Sequence, residues 1–211
     1  MKKAKRLNRA DRLYAVAESQ GGYFTSTDAK AAGYDYALQH FHTRRGTWIH
    51  VDHGVYRLKR FPPGNYEALI RWWLWSRKKG TISGQSAAEV YQFGEVFPSL
   101  VHLTVPEGFR RRAPKGVVLH KAELAQKDVE MREGLRITTP LRTVLDLARE
   151  RLDPEKLKGV VRDALSKGLL DGRDLLSALA KMSATIDPAT QVAIHMAVGE
   201  KVGATPAAVG R

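Results

Sequence analysis

The segment between Tyr36 and Arg45 is dense in side chains that can hydrogen-bond to nucleic acid. It carries phenol, amide, imidazole, hydroxyl and guanidinium groups. Amide and guanidinium groups can pair with base edges in the major groove, and cationic groups also reach phosphates. The pattern predicts that Gln39 and either Thr43 or Arg44 read bases, while Arg45 holds a phosphate. The full set of candidate DNA-contacting residues in this segment is Tyr36, Gln39, His40, Thr43, Arg44 and Arg45.

Two helices are needed to position these side chains. A hydroxyl of Ser26 or Thr27 can cap a short helix over residues 28–32, which Gly33 would end. A second helix is predicted over residues 35–45, and it would carry the candidate DNA-contacting face. The residues expected to face inward are Tyr34, Leu38 and Phe41. A short helix, a glycine turn and a longer polar-faced helix are typical of a helix-turn-helix.

A two-stranded wing is predicted directly after this second helix. Beyond Gly46 the hydrophobic period changes to two, and His53-Gly54 is a plausible hairpin turn. A first helix over residues 10–19 and a strand over residues 23–25 complete the order of a winged helix-turn-helix. The wing side chains expected near the DNA backbone are His50, His53, Arg57 and Lys59.

Charge supports a nucleic-acid partner. The chain has 211 residues and a net charge of +13, and residues 1–60 hold 12 Lys and Arg against 5 Asp and Glu. More than half of the excess therefore lies in less than a third of the chain, as expected for a DNA-binding domain. The amino-terminal segment is either a solvated tail or an arm that contacts phosphates. Its cations are Lys2, Lys3, Lys5 and Arg6.

A boundary is predicted at the segment Phe61-Pro62-Pro63-Gly64, because prolines resist continuation of helices and sheets. Residues 1–60 would form the winged helix-turn-helix with its basic arm, and residues 65–211 a second domain. That domain reads as strands followed by helices that begin at Thr139-Pro140, Asp153-Pro154, Asp171 and Asp187-Pro188. The predicted fold class is α+β, with a winged helix-turn-helix followed by an α+β domain that ends in a helical bundle.

Two features of the second domain leave alternatives open. Trp72, Trp73 and Trp75 lie on a helix predicted from about residue 66 to 78. They form either a buried core or a pocket for a small ligand, which would make the chain a ligand-responsive transcription factor. A proline-bounded segment is either a solvated hairpin tip or a loop that binds a partner or nucleic acid. Its cations are Arg110, Arg111, Arg112 and Lys115.

Catalytic and metal sites are not indicated. The four histidines at positions 40, 42, 50 and 53 have no Cys and no close carboxylate pair beside them, so no metal and no cofactor are predicted. Asp128 and Glu130, with Lys127, are the nearest match to a nuclease metal site, but no third carboxylate on a clear strand joins them. An endonuclease-related protein remains the less favoured alternative, and the sequence predicts that the chain is not an enzyme.

The sequence also carries no sign of membrane insertion or export. No apolar core follows the basic start, and the segment "LIRWWLWS" is too short and too charged to span a membrane. The absence of Cys fits a reducing compartment. We therefore expect a cytoplasmic protein.

Three blocks taken in order resemble AbiEi-type antitoxins of abortive-infection toxin–antitoxin systems. They are "GYFTSTDAKAAGYDYALQHFHTRRGTWIHVDHGVYRL", "GTISGQSAAEVY" and the helix start "ITTPLRTVLDLA". The resemblance covers about residues 7–149 and, loosely, the helices beyond. It implies an amino-terminal domain that binds inverted repeats in double-stranded DNA upstream of its own operon and represses it. It also implies a carboxy-terminal domain that counteracts a cognate nucleotidyltransferase toxin, directly or functionally.

Overall fold

The computed structural model describes residues 7–203, with side chains described as far as residue 200, and the chain divides into two compact units. The first unit runs to Gly80 and includes Met131–Leu135. The second comprises Thr81–Glu130 and the chain from Arg136 onward.

The first unit has the element order of a winged helix. The elements are α1 (Arg9–Glu18), β1 (Tyr23–Thr25), α2 (Ser26–Ala31), α3 (Tyr36–Arg44), β2 (Trp48–Asp52), β3 (Val55–Leu58) and α4 (Glu67–Trp75). The three strands form an antiparallel sheet with the order β1-β3-β2. The predicted helix-turn-helix and wing are both present.

Side-chain caps explain where the three amino-terminal helices begin. Asn8 caps α1 and Asp35 caps α3, as their residue types predict. The cap of α2 is Thr25, not Ser26 or Thr27. Thr25 forms a capping box with Asp28, whose carboxylate accepts from the Thr25 backbone N–H at 2.9 Å and from its hydroxyl at 2.8 Å. Reciprocal bonding to Asp28 at the third helical position selects Thr25 over its neighbours.

The core of the winged helix differs from the predicted inward stripe of α3. Tyr34 is buried as expected, but Leu38 is half-buried and Phe41 is 49% exposed. The buried position on α3 is Gln39. The helix is therefore rotated relative to the prediction, so that the core is closed mainly by α1, α2 and the strands. Its buried members are Leu13, Ala17, Phe24, Ala29, Ala32, Tyr34 and Trp48.

Helix α4 belongs to the first unit. Six of its nine residues are buried, including Trp72, Trp73 and Trp75, so the interpretation as a core helix is confirmed. Two ion pairs of 2.9 Å join α4 to the wing, Arg57 to Glu67 and Arg71 to Asp52. The compact units consequently divide after Gly80, whereas the sequence places the boundary at residues 61–64.

The second unit is α+β. Its strands are β4 (Thr81–Ile82), β5 (Val101–Val105), β6 (Val117–Lys121), β7 (Val129–Arg132) and β8 (Leu135–Thr138), where the residues Met131–Leu135 at the β7–β8 turn cluster with the first unit. The mixed five-stranded sheet has the order β6-β5-β4-β8-β7, in which β4 is antiparallel to β5 and parallel to β8, and β5 is parallel to β6. The helices are α5 (Gly84–Tyr91), α6 (Pro140–Arg149), α7 (Pro154–Ser166), α8 (Gly172–Met182) and α9 (Pro188–Gly203), with 3₁₀ turns at Gln126–Asp128 and Ser183–Thr185.

The helix starts of the second unit follow the predicted rule. Thr139, Asp153 and Asp171 accept hydrogen bonds from the first turns of α6, α7 and α8, and proline occupies the first position of α6 and α7. Asp187 accepts from the Thr190 N–H at 3.0 Å at the start of α9. The predicted fold class is confirmed.

Every helix between residues 7 and 203 is too short or too polar to cross a lipid bilayer.

Candidate DNA-binding surface

One half of α3 faces solvent. Its exposed positions recur as adjacent pairs at 36–37, 40–41 and 44–45, which at 100° per residue cover about half of the helix circumference. Of the two large aromatic side chains on this face, Tyr36 is 74% exposed and Phe41 is 49% exposed. The polar members, Tyr36, His40, Arg44 and Arg45, are four of the predicted DNA-contacting residues. Their exposure is compatible with major-groove contact, and their assignment to DNA stays a prediction.

Gln39 lies on the opposite half of the helix and is only 3% exposed. Its amide oxygen accepts from the Ser26 hydroxyl at 2.7 Å, and its amide nitrogen donates to the Tyr34 carbonyl at 2.9 Å. Since donor and acceptor are both bonded inside the unit, the side chain has nothing to offer a base edge. This corrects the prediction that Gln39 reads a base.

Thr43 is half-buried at the edge of the exposed face. Its hydroxyl donates to the Gln39 carbonyl at 2.9 Å, one turn earlier on α3. The hydroxyl proton is therefore already used within the helix. Of the two predicted base readers beside Gln39, Arg44 is the exposed one.

The wing contributes exposed cationic and imidazole groups near this helix. His53 lies in the β2–β3 turn and Lys59 follows β3, and both are exposed. The Lys59 N–H donates to the Thr47 carbonyl at 3.1 Å, which fixes the base of the wing beside the end of α3. The side chains of His53 and Lys59 are exposed, and their contacts to the DNA backbone stay predictions.

Arg57 does not belong to this surface. Its side chain is 12% exposed and donates to the Glu67 carboxylate and to the Phe61 carbonyl, each at 2.9 Å. The guanidinium also lies 5.7 Å from the centre of the Tyr23 ring. These contacts hold α4 against the wing, which corrects the prediction that Arg57 is free to bind a phosphate.

Aromatic packing fixes the orientation of α3 from behind. The His42 ring stacks on Trp48 with ring centres 4.8 Å apart, and its Nδ1 lies 2.9 Å from the Thr47 hydroxyl. Burial, followed by the charges of Arg9 and Arg45, lowers the pKa of His42. The lowered pKa favours the neutral ring, and His42 packs α3, the predicted recognition helix, against Trp48 at the start of the wing.

The remaining predicted contacts fall elsewhere. Lys2, Lys3, Lys5 and Arg6 lie outside the described residues.

The segment with Arg110, Arg111, Arg112 and Lys115 joins β5 to β6, which pair in parallel. A parallel pair requires a crossover, so this segment is not a hairpin tip. Arg110, Arg112 and Lys115 are exposed on the crossover, and its role as a binding loop stays a prediction.

The residues of the two alternative functions are engaged in structural contacts. For the endonuclease alternative, Asp128 ends a 3₁₀ turn and accepts from Arg142 at 3.1 Å, and Glu130 accepts from the Tyr91 hydroxyl at 2.9 Å.

For the ligand-sensing alternative, the relevant feature is a cavity of about 980 Å³ in the first unit. It is lined by residues of α1, the α3–β2 turn and the end of β3. Its lining includes none of the three tryptophans of α4, on which the ligand-sensing alternative depends.

A second polar cluster, absent from the sequence prediction, lies in the second unit. It consists of His102 on β5, His120 on β6 and Glu150 at the end of α6. The three residues are separated by 18 and 30 positions. Only the parallel register of β5 and β6, in which His102 pairs with Val118 and Thr104 with His120, places both rings on one face of the sheet.

The described architecture is that of a winged helix followed in the chain by an α+β unit, as in winged-helix regulators. Comparisons with known families agree with this class. A family model described as "Transcriptional regulator, AbiEi antitoxin" matches residues 11–59, and one described as "AbiEi antitoxin C-terminal domain" matches residues 81–195. The chain belongs to the AbiEi antitoxin family, as the sequence resemblance predicts.

A solved structure has the same fold. The crystal structure of the RV2827C protein from Mycobacterium tuberculosis superposes with a TM-score of 0.54 at 16% sequence identity. The match covers 96% of this chain and 80% of that one. Comparison with curated protein sequences gives no match.

Proposed function

We propose that this chain represses its own toxin–antitoxin operon by binding inverted repeats upstream of it. The supporting observation is the solvent-facing half of α3, where Tyr36, His40, Arg44 and Arg45 lie together. The recognition helix enters the major groove with these side chains, and His53 and Lys59 of the wing hold the flanking phosphates. The excess positive charge of the first 60 residues favours the encounter with DNA.

We further propose that the second unit counteracts a cognate nucleotidyltransferase toxin. This assignment rests on membership of the antitoxin family and on the match of residues 81–195 to its carboxy-terminal domain. The exposed cations of the β5–β6 crossover are a candidate surface for that action. The winged helix and the second unit then carry separable functions, repression and neutralisation.

The test of repression is fluorescence anisotropy with the full chain, comparing the native upstream duplex with a shuffled duplex at low and physiological salt. A specific repressor binds its operator roughly a thousandfold or more tightly than the shuffled duplex, and the preference survives physiological salt. Equal binding to both duplexes, lost as salt rises, contradicts the proposal.

The test of neutralisation is growth of cells that express a nucleotidyltransferase toxin from the same operon as this chain. Co-expression of the wild-type chain restores growth. Arg44→Ala loses repression but restores growth equally well, because Arg44 lies on the winged helix and not in the second unit. Loss of both activities at equal protein level contradicts the separation of functions.

A further inference from the structure

We propose that His102, His120 and Glu150 form a binding site for a late first-row divalent cation, Zn²⁺ in particular. The site lies in the second unit and is independent of the DNA-binding surface. Two imidazoles and one carboxylate are a donor set that suits Zn²⁺, whereas Mg²⁺ and Ca²⁺ prefer oxygen ligands alone.

The separations of the ligand atoms fit this proposal. One ligand atom from each of the three residues lies within 4.8 Å of the others. His102 Nδ1 is 3.1 Å from His120 Nε2, with which it shares a hydrogen bond, and 3.8 Å from Glu150 Oε2. Glu150 Oε1 is 3.3 Å from the other ring nitrogen of His120, Nδ1. Bond lengths of about 2.0–2.2 Å in a tetrahedral zinc site place neighbouring ligand atoms about 3.3 Å apart. The side chains of His120 and Glu150 are 28% and 24% exposed, and a rotation of the His120 ring that turns one nitrogen toward both partners completes the site.

Burial is the main influence on the electrostatics of the cluster. Burial, with a contribution from His120, lowers the pKa of His102 to about 4, and burial lowers the pKa of His120. Burial, followed by the charge of Asp146, raises the pKa of Glu150 to about 7. A metal ligand must be free of a proton, so a cation at this site competes with the proton of Glu150.

The surroundings leave room at the cluster and supply negative charge. Asp146 lies one turn before Glu150 on the same face of α6, but it is already paired with Arg142 at 2.8 Å. Gly84, at the start of α5 with φ of +52°, lies so close that a Cβ there would stand 3.1 Å from both Glu150 oxygens and 3.3 Å from His102 Nδ1. The absence of a side chain at position 84 keeps this space open for the carboxylate and the ring.

The three ligands come from β5, β6 and α6, so a bound cation joins the sheet to the helix. Three protein ligands leave one tetrahedral position for water or for a group supplied by another molecule. Binding to the folded state alone also raises the stability of the second unit.

The test uses the full chain, stripped with EDTA and then titrated with Co²⁺ by visible absorption and with Zn²⁺ by calorimetry. We expect one equivalent of metal to bind and Zn²⁺ to displace Co²⁺. His120→Gln and Glu150→Gln each remove one ligand, while His195→Gln removes an exposed imidazole on α9 as a matched control. Because changes in outer-shell groups already cost roughly 10–100-fold in metal affinity, loss of a ligand is expected to exceed 100-fold.

A second readout separates metal binding from a general effect on folding. Circular dichroism of each variant in EDTA reports whether the fold is kept, and Zn²⁺ is expected to raise the melting temperature of the wild type and of His195→Gln only. The proposal is overturned if the wild type shows no saturable binding. It is equally overturned if a folded Glu150→Gln or His120→Gln variant binds Zn²⁺ as the wild type does, which would locate the metal at other histidines.

Discussion

The hydroxyl of Ser26 donates to the side-chain amide of Gln39 at 2.7 Å and thereby joins the two helices of the helix-turn-helix. The same amide donates to the carbonyl of Tyr34 in the intervening turn, and at 3.3 Å to that of Ser26. The buried side chain of Gln39 on α3 is thus hydrogen-bonded both to α2 and to the turn between the two helices. The side chain of Gln39 therefore stabilises the junction of the two helices inside the first unit and does not face DNA.

Replacement of Gln39 by Ala is expected to destabilise the first unit. The substitution leaves the Tyr34 carbonyl and the Ser26 hydroxyl without their buried partner, which costs about 1–3 kcal/mol in the free energy of unfolding. Urea denaturation of the variant measures this loss, with Lys30→Ala, an exposed position on α2, as the control. Under conditions where the variant is folded, its preference for operator over shuffled DNA is expected to be unchanged. A folded, stable variant that has lost this preference would show that Gln39 reads a base after all.

Arg44 and Arg45 are expected to respond differently to removal. Arg44→Ala lowers the affinity for operator by about 1–3 kcal/mol and leaves binding to shuffled DNA nearly unchanged, because a base contact is lost. Arg45→Ala weakens binding to both duplexes and reduces the slope of log K against log salt by about one, because a phosphate contact is lost. Anisotropy titrations at several salt concentrations measure both effects.

The control for the arginine pair is Lys181→Ala, which removes an exposed cation from α8 in the second unit. This variant is expected to bind both duplexes like the wild type. If Arg44→Ala weakens both duplexes equally, Arg44 contacts phosphate only. If neither arginine variant differs from Lys181→Ala, the exposed half of α3 is not the DNA-binding face.

The sequence predicts the helix starts well because the capping signals are local. The side chains of Asn8, Asp35 and Thr139 bond to amides two or three residues further along the chain, so residue type and position suffice. The rotation of α3 was not predictable in this way. Gln39 is polar, and its burial depends on the Ser26 hydroxyl and the Tyr34 carbonyl, which become its partners only when the turn between the helices has formed.

The same limit applies to contacts between distant segments. Arg57 has the charge and the position in the wing that predict a phosphate contact, but its partner Glu67 lies across the proline-containing segment. The cluster of His102, His120 and Glu150 depends on the parallel pairing of β5 with β6 and on the end of α6. No periodicity within a single segment indicates either arrangement.

Substitutions of Arg57 and Lys59 are expected to have opposite effects. Arg57 contributes to the stability of the first unit, and Lys59 is predicted to contribute to DNA binding. Arg57→Ala removes the partner of Glu67 and one donor to the Phe61 carbonyl, so it is expected to lower the free energy of unfolding by about 1–3 kcal/mol. Lys59→Ala removes an exposed cation and is expected to leave stability within about 0.5 kcal/mol. Urea denaturation distinguishes the two variants.

DNA binding is expected to show the reverse order. Lys59→Ala weakens binding to operator and to shuffled DNA alike, whereas folded Arg57→Ala keeps the wild-type salt slope. A reduced slope for Arg57→Ala, at unchanged stability, would mean that the pair with Glu67 opens to release Arg57 to a phosphate.

Asp28 is expected to make the stability of the first unit depend on pH in the acid range. Burial acts to raise the pKa of Asp28, but hydrogen bonds from the Thr25 backbone and hydroxyl, with the charge of Lys78 at 3.1 Å, outweigh it and lower the pKa below its ordinary value of 3.8. A carboxyl group with a lowered pKa in the folded state stabilises it fully above the ordinary pKa. This contribution is lost as the pH falls from about 4 through the folded pKa.

The measurement is the free energy of unfolding of the wild type and of Asp28→Asn between pH 7 and pH 3. Asn at this position can still accept from Thr25, so the substitution removes mainly the charge. The difference between the two proteins is expected to be constant above about pH 5 and to shrink below about pH 4, as Asp28 in the wild type becomes protonated. Lys78→Ala removes the ion pair, together with a cation–π contact to Trp73 that does not depend on pH in this range, and is expected to give a smaller pH-dependent difference. A difference that does not change between pH 7 and pH 3 would mean that Asp28 acts through its hydrogen bonds alone.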